Sequence, residues 1–444
     1  MLLKTPAQGR EIWLDGLRGL AAVVVFFFHL TVDIMQLPYR SYWDEPPQLN
    51  RRWFQVAPFR LLFCGQAMVR IFFVISGYSV SISTIRRRER DNNGLFYSSL
   101  TSSVLRRVIR LYFPVLVVCV FSHVLFYIGA YRWDFTFSFM EGCEGAVPWA
   151  STWPHLKCMG LTMMSSMSLV RGGRWYTRGL NGQLWSMADE LRGSIAVYMV
   201  LVSMASATPR ARIASVTAIC LILLWCGLPH TSAFISGHLF AELDLLKRQQ
   251  SSPIPTSTKA PIITAKNPKW WKQILALAAL SLGVHFLCLP VLPDFPVNYW
   301  FRLDTDPLPF WEGPFVRINA WHTVGSILLV WSLRHLPFLR KTMLENRPVQ
   351  FFGKISYSFY LFHLTFIRVL RNPILRHVCT RFAGKNIYQI RDEGLNNGVY
   401  YFAWFVSAAV ILPLAVGTSV YATKVVDRFG VSLSHRAEKK LTGR

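Results

Sequence analysis

Ten apolar blocks, most of them near 20 residues long, recur along this chain at about 17–37, 66–85, 111–130, 183–206, 211–229, 232–246, 273–292, 318–336, 351–371 and 399–426. A helix of about 20 residues rises ~30 Å, the thickness of a bilayer's hydrocarbon core. No backbone polar group can stay unpaired in that core, so only helices or closed barrels span it. Long continuous apolar runs, rather than alternating ones, select helices. The pattern predicts an all-α fold: a polytopic transmembrane helical bundle of about ten spans. The sixth block is short and holds Glu242 and Asp244, so a tilted or partly re-entrant element is expected there.

Composition supports that reading. Of 444 residues, 52% are hydrophobic and 16% charged, with a mean hydropathy of +0.31; a soluble domain carries about 25% charged residues. The net charge of +25 does not indicate nucleic-acid binding, because the basic residues form no aromatic-interleaved face. They fall in alternate loops, as positive-inside topology requires. "IRRRER" (85–90) and "LRRVIR" (105–110) load the second loop, Lys247–Lys272 the sixth, Arg334–Arg347 the eighth, and Arg436, Lys439 and Lys440 the tail. The odd loops are mixed, with Glu141, Glu144, Asp294, Asp304, Asp306 and Glu312. An even number of spans then puts both termini in the cytosol. No cleavable signal peptide is expected, since Pro6–Asp15 is polar and no small-residue cleavage site follows.

The expected organisation is a cytosolic N-terminal segment (1–9), a transmembrane domain (10–425) and a basic cytosolic tail (426–444). The domain includes a non-cytosolic loop (131–182) and a cytosolic linker (247–272), whose Pro/Ser/Thr/Lys stretch 251–268 has no core-forming pattern. The protein is expected to be a multi-pass integral membrane protein of the endoplasmic reticulum or plasma membrane, with the lipid bilayer as a partner. Cys119, Cys220, Cys226 and Cys288 fall in spans, whereas Cys64, Cys143, Cys158 and Cys379 fall on the non-cytosolic side, where oxidation is permitted. A Cys143–Cys158 bridge is expected, with Cys64 and Cys379 open as alternative partners. No cysteine spacing suggests a metal site.

Ionisable residues within spans are costly and face the protein interior or water. Arg18 and His29 are eleven residues apart, about three helical turns or ~16 Å, and so share a face. Asp15 and Asp33 fall close to that face. Rough depths place His29, Glu190 and His363 near one level. Histidine titrates near neutral pH and suits a general base that activates a hydroxyl; Asp33, one turn further on, is expected to orient it. His123, His238, His285 and His322 also fall in spans. A set of buried histidines with Glu190 is also what a proton-coupled transporter would need, although no inverted repeat supports that alternative.

The pattern Arg18-x10-His29 in "LDGLRGLAAVVVFFFHL", followed by "FFVISGYSVS" (72–81), resembles the acyltransferase-3 family of integral membrane acyltransferases. "GQLWSMADELRGS" (182–194) resembles that family's Trp-to-Glu segment, and its "LRGS" ending is most like fungal members. "FGKISYSFYLFHL" (352–364) resembles its late Gly-x-x-Ser-Tyr-x-x-Tyr-x-x-His segment, and Arg107 and Arg110 match its Arg-x-x-Arg motif in the loop before the third span. The resemblance covers about residues 10–425. It implies transfer of an acyl group from acyl-CoA, a co-substrate rather than a bound cofactor, to a hydroxylated acceptor such as a sugar, lipid or small metabolite. It assigns His29 as the catalytic base and Arg18, Arg107 and Arg110 to donor binding. Glu190 is placed with His29 and Asp33 in the catalytic group, and Asp15, Ser76, Tyr78, Arg192, Tyr357 and His363 in the substrate pocket. Asp189, within "SMADEL", departs from the family pattern and adds a charge beside Glu190. Arginine forks at the cytosolic mouth suit the phosphates of coenzyme A, which cannot enter lipid.

Overall fold

The computed structural model describes residues 11–35, 37–90, 94–133, 143–170, 179–251, 270–289, 310–311, 314–386, 389 and 398–442. Most of these residues are helical, with no strand among them. In chain order the helices are α1 (Ile12–Thr31), α2 (Gly65–Arg90), α3 (Gly94–Tyr127), α4 (Thr152–Ser166), α5 (Trp185–Ser203), α6 (Pro209–Trp225), α7 (Pro229–Ser251), α8 (Trp270–Leu287), α9 (Pro314–His335), α10 (Arg347–Ala383), α11 (Gly398–Ala422) and α12 (Arg428–Thr442). Each of the ten apolar blocks lies on one of them. The exceptions are α4, inside the third loop, and α12, in the tail. The stretches Ile12–Thr31, Gly65–Glu89, Phe96–Tyr127, Trp270–Leu287 and Gly398–Leu441 are long and apolar enough to cross a membrane. Leu116, Val120 and Val124 on α3, Leu277 and Leu282 on α8, and Phe405 and Leu414 on α11 are exposed. So broad an apolar exterior suits contact with lipid better than contact with water.

Helix packing is set by paired glycines. A Cβ on Gly19 would collide with the backbone of Gly353, and one on Gly353 with the carbonyl of Asp15, so α1 and α10 lie backbone to backbone. Gly77 and Gly237 do the same for α2 and α7: each faces the other helix's main chain, at Phe234 and Val74. Small residues at helix crossings replace the hydrophobic driving force that lipid cannot supply. Around these crossings lies a core that includes Val25, Phe73, Ile75 and Phe234, all nearly inaccessible.

Several boundaries differ from those expected. The first helix begins at Ile12, so Asp15 and Arg18 lie in its first two turns as an i,i+3 pair 3.7 Å apart. It ends at Thr31, because Arg371 of α10 donates to the carbonyls of His29 (3.0 Å) and Leu30 (3.5 Å) and occupies acceptors that further turns would use. Asp33 therefore lies beyond the helix, off the expected stripe. α3 begins at Gly94, so Arg107 and Arg110 are helical rather than in a loop. In the polar run before them Thr101 and Ser103 donate back to the carbonyls of Tyr97 and Ser99, one turn earlier, so their hydroxyls are satisfied within the helix. The basic tail forms α12 against α3, with Glu438 3.5 Å from Arg106.

In the third loop Cys143 and Cys158 are bonded to each other, and Cys64 and Cys379 are free thiols. The N-terminal segment 1–9, most of the linker stretch 251–268, and Glu141, Asp294, Asp304, Asp306 and Glu312 lie outside the described residues.

Candidate active site

A cavity of about 810 Å³ opens between α1, α2, α3, α5, α10 and the start of α12. Eight of the sequence-derived site residues line it: Asp15, Arg18, Ser76, Tyr78, Arg107, Arg110, Glu190 and Tyr357. They come from five helices spread along most of the chain.

One wall is strongly basic. Arg18 donates to Ser79 (3.3 Å) while pairing with Asp15. On α3, Arg106, Arg107 and Arg110 sit at i, i+1 and i+4, and Arg86 joins them from α2. Arg107 is held by α5: its guanidinium meets the Glu190 carboxylate, and its Nε donates to Ser194 (3.1 Å). Glu190 thus contacts Arg107, a donor-binding candidate, and not His29 or Asp33 of its expected catalytic group. Tyr357 is anchored by donating to the Leu111 carbonyl (2.5 Å).

The histidines form a second group. His29 and His363 have ring centroids 5.2 Å apart, brought together by the close α1–α10 crossing. Neither lines the cavity. Tyr360 links the two groups: its ring is part of the cavity wall and lies 5.9 Å from His363. Its hydroxyl is fixed by Ser186 (2.7 Å) and the Gln183 carbonyl (3.0 Å). Phe72, also on the wall, packs edge-on against it at 5.8 Å.

Two predicted residues stand apart. Asp33 places its carboxylate 3.3 Å from Arg371, not on the His29 ring. Arg192 faces away from the cavity to Asp189 (2.6 Å). Asp189 also lies 2.9 Å from His230 Nδ1, and Arg70 meets His230 Nε2 at 3.0 Å. The charge that departs from the family pattern is therefore placed among buried cationic and imidazole groups, on a face of α5 about 100° round from Glu190.

Sequence reasoning missed Tyr360, Arg86, Arg106, Arg368 and Arg371. Tyr360 was legible, since it stands one turn before His363 in the same motif. Arg368 and Arg371 interrupt an apolar block at i,i+3, a signal that intramembrane charges are used. Arg368 donates to the carbonyls of Gly179 (3.1 Å) and Leu180 (2.9 Å), tying α10 to the chain entering α5.

An acyltransferase domain family matches residues 11–423. The chain is similar to the O-acetyltransferase PaAT-1 of Phomopsis amygdali, with 26% identity over 97% of this chain and 84% of that one. It is similar to the acyltransferase clz18 of Cochliobolus lunatus, with 22% identity over 90% and 92%. A third relative is an acyltransferase of a Phoma species, with 24% identity over 80% and 82%. No solved structure matches.

Proposed function

We propose, from the premise that the chain belongs to the acyltransferase-3 family and is an acyltransferase, that it moves an acyl group from acyl-CoA to an acceptor hydroxyl. The observation that carries this reading is the basic cavity wall of Arg18, Arg86, Arg106, Arg107 and Arg110 joined through Tyr360 to the His29–His363 pair. Arginine forks bind phosphate in two-point contacts, so the donor's head belongs at that wall. Its acyl thioester then points deeper, towards the histidines. Glu190 holds Arg107 in place for the phosphates.

His29 is the general base. It removes the proton from the acceptor hydroxyl as the oxygen attacks the thioester carbonyl, and returns a proton to the departing coenzyme A thiolate. The O-acetyltransferase name of one relative favours oxygen as the acceptor atom.

The membrane topology follows the same logic: ten spans, both termini cytosolic, in the endoplasmic reticulum or plasma membrane. The arginines of the α2 end, the first half of α3 and α12 then lie at the cytosolic face, where acyl-CoA is made available. Purified protein incubated with labelled acyl-CoA and candidate hydroxylated acceptors tests the reading. Acceptor-dependent label transfer with release of free thiol is the expected result; no transfer and no donor binding would overturn it.

A further inference from the structure

The His363 ring is held in one tautomer. Its Nδ1 lies 2.8 Å from the Tyr360 carbonyl and 3.2 Å from that of Phe359. Carbonyl oxygens only accept, so Nδ1 carries the proton and Nε2 of the neutral ring is a lone-pair acceptor. His363 is 1% exposed, and Nε2 has no hydrogen-bond partner among the described residues. A buried acceptor without a donor forfeits its hydrogen bond to water without replacement, so its retention calls for a reason. The His29 ring, with centroid 5.2 Å away, is near enough for facing ring nitrogens to meet at hydrogen-bond distance.

We propose that His363 is a positioning residue that acts through His29, accepting the second N–H of that imidazole at Nε2 when His29 takes the substrate's proton. The inference rests on His29 being the base. In the step, the acceptor O–H bond breaks, its proton bonds to one ring nitrogen of His29, and the oxygen's electron pair forms the new bond to the acyl carbon. The imidazolium that results has two N–H groups. One is the proton just received; the other donates to His363 Nε2. When the thiolate leaves, His29 gives up the received proton and the contact relaxes. Acid residues supply this acceptor in serine-type sites. Here Asp33 is taken by Arg371, and a neutral imidazole serves on the buried side.

Three substitutions separate this role from packing. His363→Asn keeps an amide where Nδ1 stands, preserving the carbonyl contact, but offers nothing at the position of Nε2. His363→Gln places an amide oxygen near Nε2. His363→Met fills the volume with an apolar side chain. With acyl-CoA turnover measured beside donor affinity and thermal unfolding, Asn and Met should lower kcat about tenfold to a hundredfold, less than loss of the base itself, with donor affinity unchanged. Gln should recover several-fold of that loss even if it unfolds earlier than Met. A packing role predicts the reverse order, with Met best. Wild-type kcat in the Asn variant, or equal kcat in Asn and Gln, overturns the inference. His29→Ala in the same assay keeps the two readings apart: an active His29→Ala enzyme removes the base itself, whereas an inactive one beside a fully active His363→Asn removes only the role of His363.

Discussion

Arg107 on α3 and Glu190 on α5 form an ion pair in the cavity wall, with the Glu190 side chain only 11% exposed. Two residues that sequence reasoning gave separate tasks are thereby one unit. Removing either partner leaves a largely desolvated charge behind. Arg107→Ala and Glu190→Ala should each lower donor affinity, and the double variant should lose less than the sum, with a coupling of about 1–3 kcal/mol. Additive losses in a double-mutant cycle of acyl-CoA binding would mean that the pair does not act as a unit at the donor site.

Arg110 tests phosphate recognition more directly, because among the described residues it makes no direct ion pair like that of Arg107 with Glu190, and Asp427, also on the cavity wall, acts on it only through a longer-range attraction. Arg110→Ala should weaken acyl-CoA binding by about 1.5–3 kcal/mol, the scale of a charge-assisted hydrogen bond. Lysine restores charge but not the planar fork, so Arg110→Lys should recover only part of it. Isothermal titration in detergent measures this; equal binding by Lys and Arg would reduce the residue to a positive charge.

His29→Ala should leave donor binding intact and lower turnover by about 10²–10⁴. Asp33→Asn should do much less, since the Asp33 carboxylate contacts Arg371 and not the imidazole. A loss in Asp33→Asn as large as in His29→Ala would show that Asp33 swings to the ring during reaction.

The α1–α10 crossing should be intolerant of volume. Gly353→Val would drive a side chain into the Asp15 carbonyl, and such overpacking typically costs about 1–3 kcal/mol. Because the same crossing sets the His29–His363 separation, kcat should fall along with the thermal midpoint. An unchanged midpoint would mean that the helices can part without loss.

The bridge between Cys143 and Cys158 should appear as a single linked species when non-reduced peptides are mapped by mass. Closing a loop of that size contributes about 3 kcal/mol in the chain-entropy model. Cys158→Ser should therefore loosen α4 and the third loop, read as faster proteolysis there. Free thiols at both positions would remove the claim.

The apolar blocks were enough to specify a helical membrane protein, and each block lies on a helix. Lipid leaves the backbone few alternatives to internal hydrogen bonding, so length and hydropathy alone carry that information. Motif spacing likewise marked Arg18, Arg107, Glu190 and Tyr357, which meet at one cavity. What local sequence could not carry was partnership. That Glu190 serves Arg107, that Arg371 captures Asp33 and ends α1, and that Asp189 finds His230 depend on which helices touch. Those contacts join helices far apart in the chain, and at the α1–α10 crossing they arise where paired glycines let backbones approach. The helices follow from the solvent each segment requires, whereas the pairing of charges and the separation of His29 from His363 were decided only by how the helices pack.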